Sequence, residues 1–183
     1  MKVKLVVVTL ALFVLFVGIP AFSQSMIGLQ AIGGKVGYVD PEDIDGTFGF
    51  GAIADLGTFM PQFGWEAEVT YWSTSVGDLD FRDIAIVTSG KYSFPMPESK
   101  LAPFIGGGLG LHMLKASFEY VDPFTGQTVE DDETDSKFGF HILGGTEMEL
   151  SPMIDGFAEF RYTLVEDFNQ IWLMAGIKYN LGM

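Results

Sequence analysis

The sequence predicts an all-β fold: an eight-stranded antiparallel up-and-down transmembrane β-barrel, preceded by a cleavable signal peptide. One supporting observation is the apolar run near the start of the chain. A second is that the rest of the chain divides into about eight segments with a two-residue hydrophobic period. The third is that charges stand on the second face of these segments, as in a barrel wall that faces lipid outside and its own lumen inside.

The first residues have the pattern of a secretory signal. Two lysines within the first four residues precede an apolar run at 5–17, and a glycine and a proline follow it. This run is shorter than the roughly 20 residues of a membrane-spanning helix, and small residues suited to signal peptidase come next. We therefore predict a signal peptide at 1–23 and an outer-membrane barrel domain at 24–183, with a single N-terminal anchor helix as the alternative.

The predicted strands each alternate between apolar and polar residues. In the seventh, Phe160 is apolar, whereas Glu159 and Arg161 on either side of it are charged. Such strict alternation indicates a strand whose two faces meet different surroundings. The eight predicted strands are Gly28–Val39, Thr47–Leu56, Phe63–Ser73, Phe81–Phe94, Leu101–Tyr120, Ser136–Leu150, Gly156–Val165 and Gln170–Met183.

The connections between these strands are of two kinds. Those after the second, fourth and sixth strands are compact and contain proline, whereas those after the odd-numbered strands are acidic. Short periplasmic turns opposite longer external loops are typical of outer-membrane barrels, which places both chain ends in the periplasm. The chain has no cysteine, hence no disulfide framework and no lipid-accepting thiol, which is consistent with the bacterial cell outer membrane.

The inward parity of the predicted strands holds charges of both signs in nearly equal number. An eight-stranded barrel is only wide enough inside for its own side chains, and charges removed from water need partners. We therefore predict a largely plugged lumen held by ion pairs rather than an open pore. The predicted lumen charges are Lys35, Asp55, Glu66, Glu68, Lys91, Lys137, Glu147, Glu149, Glu159, Arg161 and Lys178.

His112 and His141 are the only histidines and also fall on the inward parity. They lie in consecutive strands joined by one outer loop, which could bring them to similar heights in the barrel. Two imidazoles can bind a metal or carry a proton, but the spacing specifies no third ligand. We interpret them as polar filling of the lumen and predict neither a metal nor a cofactor.

One outer connection carries a dense acidic run, which contains Glu130, Asp131, Asp132, Glu133 and Asp135. Carboxylate oxygens are the ligands that Ca²⁺ and Mg²⁺ prefer, although the run lacks the spacing of an EF-hand. Cation binding therefore stands as a possibility beside the favoured interpretation, a solvated and mobile loop.

Charge and motif content disfavour two broad functions. The formal net charge is −14, or −16 once the two lysines of the signal are removed, and such a surface repels nucleic acid. An enzyme would need a nucleophile, a base and an orienting group clustered near the outer rim. No serine adjoins either histidine along the sequence, and we predict a protein that is not an enzyme.

Two segments carry a family resemblance beyond the alternation itself. These are Pro103-Phe104-Ile105-Gly106-Gly107-Gly108-Leu109-Gly110 and Phe157-Ala158-Glu159-Phe160-Arg161-Tyr162. Together with the eight amphipathic strands, they resemble the small outer-membrane β-barrel family that includes OmpX, OmpW and the OmpA membrane domain. The resemblance covers essentially the whole mature chain and implies contact with outer-membrane lipid and lipopolysaccharide.

The end of the chain carries a second resemblance. Tyr179, Leu181 and Met183 are similar to the C-terminal signal by which the barrel-assembly machinery recognises its clients. This implies that the machinery is a partner of the chain during assembly.

Three functions are compatible with this pattern. The leading hypothesis is a non-enzymatic surface, structural or interaction protein that contacts the outside, lipopolysaccharide or another protein through its acidic outer loops. The alternative is an OmpW-like channel for small, mainly apolar molecules, because Trp72, Leu114 and Leu143 have inward parity. The third is a soluble lipocalin-like binding barrel, which requires the opposite parity: an apolar lumen and a polar outside.

Overall fold

The computed structural model describes residues 26–77, 79–121, 128–166 and 168–182, and for residues 26, 118–121 and 128–132 it describes the backbone alone. The predicted signal peptide and Met183 lie outside the described residues. No helix among the described residues is long and apolar enough to cross a membrane.

Eight strands form one closed antiparallel barrel, which confirms the predicted fold. Each strand pairs with the next along the chain, and residues 31–41 of β1 pair with residues 170–180 of β8 to close it. The strands are β1 Met26–Pro41, β2 Thr47–Met60, β3 Phe63–Val76, β4 Leu79–Ser93, β5 Leu101–Val121, β6 Thr128–Ser151, β7 Ile154–Val165 and β8 Gln170–Asn180.

The barrel has two unlike ends. The terminal end carries the start of β1, the end of β8 and the connections after β2, β4 and β6. The loop end carries the connections after β1, β3, β5 and β7. Along the wall, apolar side chains point outward: Phe138, Phe140 and Leu173 are 77%, 62% and 63% exposed. Their neighbours His141 and Trp172 are buried inside. This is the parity of a membrane barrel and the reverse of the soluble lipocalin-like alternative.

The β5–β6 hairpin is longer than predicted. β6 begins at Thr128 rather than Ser136, so the acidic run lies in a strand, and the prediction of a mobile loop there is wrong for its backbone. The physical reason is the 21-residue length of β5, which offers a ladder of hydrogen bonds that outweighs the low strand propensity of Asp and Glu. Residues 128–138 pair with β5 alone in the described chain, because the β7 ladder stops at Val165 opposite Gly139.

Large inward side chains lie over glycines of other strands. His141 of β6 crosses Gly108 of β5, where an added Cβ would lie 2.8 Å from ring atoms Cε1 and Nε2. Trp172 of β8 covers Gly49 of β2 in the same way, at 2.6 Å. The glycines therefore make room in a lumen too narrow to hold two side chains at these positions.

Replacing one of these glycines should destabilise the barrel. We expect Gly108→Ala to lower the free energy of unfolding by about 1–3 kcal/mol, because the added methyl group would overlap the backbone oxygen of Thr88 and overpack the site of the His141 ring. Gly34→Ala is the matched control: its Cβ would meet its nearest atom, Gly51 O, at an ordinary 3.7 Å. Denaturant unfolding of the refolded protein measures both variants, and equal losses would contradict the role given to Gly108.

Candidate functional site

Nine charged side chains meet inside the barrel in one continuous network of ion pairs. Arg161 is at its centre, where Nη2 donates to Glu68 Oε1 at 2.8 Å and to Glu159 Oε1 at 2.7 Å. Lys35 pairs with the same two carboxylates. We call these nine residues the lumen network: Lys35, Asp55, Glu66, Glu68, Lys91, Glu147, Glu159, Arg161 and Lys178.

The network extends toward the terminal end through two lysines. Lys91 Nζ lies 2.9 Å from Glu159 Oε2 and 2.6 Å from Glu66 Oε2. Lys178 Nζ lies 3.0 Å from Glu66 Oε1 and also pairs with Glu147. Every cation thus contacts at least two carboxylates, which offsets the cost of removing these charges from water.

The strands contribute unequally to the side chains that fill the lumen. Seven strands contribute to the network, whereas β5 faces it with Gly106 and Gly108 and with the ring of Phe104. The Phe104 ring centroid is 4.6 Å from Lys91 Nζ, a cation–π contact. Four cations face five carboxylates in this space, so the interior is close to neutral and filled by side chains.

The structure does not bring every predicted lumen charge into this network. Lys137 lies toward the loop end, where its Nζ donates to the carbonyl of Glu166 at 3.2 Å, and Glu149 is exposed near the terminal end. Both residues have the inward parity, but they lie closer to the two ends of the barrel than the nine residues of the network do. Nine of the eleven predicted lumen charges therefore lie in the lumen network.

His141 has a partner that sequence reasoning missed. Ser89 Oγ lies 2.9 Å from His141 Nε2, across the gap that Gly108 leaves in β5. A hydroxyl beside an imidazole is the first requirement of a serine hydrolase, but Ser89 is only 1% exposed and His141 4%. Both side chains are therefore buried inside the barrel.

His112 belongs to a different level of the barrel, so the expectation of similar heights is wrong. In the β5–β6 register, His141 stands opposite Gly108, four residues along β5 from His112. His112 Nδ1 lies 2.8 Å from Asp83 Oδ2, which also accepts from Gln170 Nε2 at 2.9 Å. Because Asp83 and Gln170 are far apart in the chain, only inward parity could have pointed to them.

An apolar cluster lies beside this chain of hydrogen bonds near the loop end. Val39, Trp72, Trp172 and Met174 form a buried cluster, against which Ile44, Phe81 and Phe168 pack. Phe168 stacks on Trp72 with ring centroids 5.7 Å apart. The β7–β8 connection that carries Phe168 is tied to the β1–β2 connection, since Asn169 Nδ2 donates to Glu42 Oε2 at 2.7 Å.

Above this cluster, the loop end forms an open cavity of about 460 Å³. Its floor is apolar and its walls are charged. The inner face of the tall β5–β6 hairpin forms one side, and the β1–β2 connection forms the other. The loop-end cavity is lined by Glu42, Asp43, Ile44, Trp72, Phe81, Arg82, Leu114, Lys115, Ala116, Glu133, Asp135, Lys137 and Phe168.

Only part of the predicted cation-binding run can be placed. Glu133 and Asp135 are exposed and line the cavity, whereas the side chains of Glu130, Asp131 and Asp132 lie outside the described residues. Among the side chains described, no three His, Asp or Glu residues converge in a group that could hold a metal ion. At the other end of the barrel, Tyr179 is exposed on the outer face of β8.

Comparisons with known proteins agree with this architecture. A family model described as outer membrane protein beta-barrel domain matches residues 9–182. No curated protein sequence matches the chain.

Solved structures share the fold at low identity. Neisserial surface protein A is 18% identical with a TM-score of 0.61, over 82% of this chain and 96% of that one. The N-terminal barrel of Pseudomonas aeruginosa OprF is 10% identical with a TM-score of 0.55, over 84% and 99%. Ail of Yersinia pestis, in complex with the heparin analogue sucrose octasulfate, is 19% identical with a TM-score of 0.53, over 82% and 98%.

Proposed function

This chain belongs to the family of outer membrane protein β-barrel domains, and from that premise we propose that it is a non-enzymatic interaction protein that works at the outer surface of the membrane. The observation that carries the proposal is the filled lumen. The lumen network occupies the middle of the barrel, and the apolar cluster around Trp72 covers the loop end above it. Contact through the outer loops is then the activity that this geometry supports best.

The charge of the loop end selects the chemistry of the partner. Its described side chains include eight carboxylates and three cations, and the sequence of the remaining loop-end residues adds further Asp and Glu but no Lys or Arg. A polyanion such as the sucrose octasulfate bound by Ail would be repelled, so we expect a basic partner. The carboxylates are Asp40, Glu42, Asp43, Asp45, Asp80, Glu133, Asp135 and Glu166; the cations are Arg82, Lys115 and Lys137.

The long hairpin supplies the surface for this contact. In the described structure, residues 128–138 of β6 pair with β5 on one side only. Their other edge has no partner strand there, and it extends beyond the ends of β7, β8, β1 and β2. Strand edges with a charged sequence resist pairing with copies of themselves. A basic partner would meet complementary charge along this edge.

The remaining contacts follow from the membrane. The outward apolar band supports a wall that faces lipid. We expect the acidic loop end to lie beside lipopolysaccharide, where divalent cations would bridge its carboxylates to phosphate. Recognition by the barrel-assembly machinery through Tyr179, Leu181 and Met183 stays part of the proposal. It is supported by the exposure of Tyr179 on β8.

Conductance measurements test the filled lumen. In planar bilayers we expect the purified, refolded chain to give no stable unit conductance, because ion pairs and the apolar cluster occupy the path. A Trp72→Ala variant enlarges the cavity but leaves the lumen network in place, so it should stay silent as well. Reproducible conductance steps from the wild-type chain would contradict the proposal and favour the OmpW-like channel.

A further inference from the structure

The floor of the loop-end cavity is built from aromatic rings. Trp72 and Phe168 stack at an interplanar angle of 17°, and Phe81 packs against the same cluster. The volume of about 460 Å³ lies within the range of small-molecule sites, which are mostly apolar with a few placed polar groups. The floor therefore suits the aromatic or short aliphatic body of a ligand.

The inward-directed charges around the cavity are mostly negative. Glu133 and Asp135 share the inward parity of Lys137 on β6, and Glu42 and Asp43 enter from the β1–β2 connection. Four carboxylates thus face one inward cation. Since the Coulomb field of like charges adds, the space between them favours a positive group.

The other two cations of the lining point elsewhere. Arg82 and Lys115 stand opposite each other across β4 and β5. The buried positions of β4 alternate through Asp83 and Ala85, so Arg82 has the parity that points away from the barrel axis. Arg82 and Lys115 therefore offset less of the negative field inside the cavity than their number implies.

The floor also contains polar atoms that the fold leaves unsatisfied. Trp72 is 1% exposed, and its Nε1 has no hydrogen-bond partner among the described residues. Asp83 is the direct partner of Trp72 in the β3–β4 register, and its buried Oδ1 also has no hydrogen-bond partner among the described residues. Such groups are unfavourable when they are left unpaired, which distinguishes this level from a layer built for packing alone.

The frame of the cavity is held in place. Glu42 N donates to the carbonyl of Asn169 at 2.8 Å, and Asn169 Nδ2 returns a hydrogen bond to Glu42 Oε2. These bonds join the two connections that bring Asp43 and Phe168 to the cavity. A preformed site loses less conformational entropy when a ligand binds.

We propose that the loop-end cavity binds an organic ammonium ion with an aromatic or short aliphatic body. The ammonium group lies between Glu133 and Asp135, and the body lies against the half-buried rings of Phe81 and Phe168, where cation–π attraction adds to apolar contact. This inference rests on the proposed surface-interaction function and names the chemical class that the surface recognises. The same chemistry is offered by a free amine and by a polypeptide that carries aromatic and basic side chains.

Calorimetry on the refolded full chain in zwitterionic micelles tests the site with three probes of similar shape. We expect 2-phenylethylammonium to bind at least about tenfold more tightly than neutral 2-phenylethanol, and 3-phenylpropionate to bind more weakly still. An acetylated Phe-Lys dipeptide amide distinguishes the two sources. If the dipeptide binds more tightly than the free amine, the partner is a polypeptide; if the free amine binds more tightly, the ligand is a small molecule. Both outcomes support the proposed site.

Two double variants test the assigned residues, each checked for folding by its heat-modifiable gel shift. Glu133→Gln with Asp135→Asn should weaken 2-phenylethylammonium binding about tenfold or more. Glu98→Gln with Glu149→Gln removes the same charge from exposed positions at the terminal end of the barrel and should leave the affinity unchanged. Equal binding of alcohol and ammonium, absent binding, or equal losses in both double variants would overturn the inference. A silent lumen in the conductance experiment would still support the proposed function.

Discussion

Arg161→Met is expected to lower the free energy of unfolding by about 3–5 kcal/mol, the loss typical when one partner of a buried ion pair is removed. Arg161 is 3% exposed, and its guanidinium bridges Glu68 and Glu159. Methionine fills much of the same space, but it leaves two carboxylates with Lys35 and Lys91 as their remaining partners. Denaturant unfolding of the refolded protein measures the loss.

The chain provides a matched control for this experiment. Arg82 is its other arginine, and it is exposed at the loop end. Because exposed charges contribute little to stability, Arg82→Met should change the free energy of unfolding by less than about 1 kcal/mol. If both variants lost the same stability, the lumen network would not be the element that holds the barrel interior together.

Phe160→Arg is expected to destabilise the barrel by about 2–4 kcal/mol, although it introduces the same residue one position away from Arg161. Phe160 lies midway along β7 on the outward face and is 49% exposed. An arginine there would enter the hydrocarbon of the bilayer, where charges on the lipid face of a barrel are most costly near the midplane.

The experiment requires the chain to be refolded into lipid vesicles, with Phe160→Leu as the control that keeps the face apolar. We expect the leucine variant to stay within about 1.5 kcal/mol of the wild-type chain. Equal stability of the arginine and leucine variants would mean that the outward face does not meet hydrocarbon. That outcome would restore the soluble barrel that the observed parity argues against.

The number of strands and the side on which each residue lies could be predicted because β-structure has a side-chain period of two. In a membrane barrel, alternate side chains of each strand face lipid and the lumen. Phe160 must therefore face acyl chains, while Glu159 and Arg161 must face the lumen. Because this alternation is a local property of the sequence, it can be recognised without knowing which distant residues are in contact. Strand ends were less accurate, because the extra length of β6 depends on the partner that β5 supplies.

Which charges meet could not be predicted, because the partners are far apart in the chain. Arg161 and Glu68 are 93 residues apart, and Lys178 and Glu66 are 112 apart. Their heights in the lumen follow from the register of eight ladders and from the tilt of strands in a closed barrel. The same stagger placed Lys137 and Glu149 outside the network despite their inward parity.

Local alternation thus established a membrane barrel with a charged interior, since a two-residue period and the chemistry of lipid suffice for that conclusion. Closure of the barrel decided the contacts. It set His141 over Gly108 beside Ser89, and it brought Phe168 onto Trp72 beneath the loop-end cavity. The physical reason is that side-chain height in a barrel is a property of all the strand pairings together, whereas side-chain direction is a property of each strand alone.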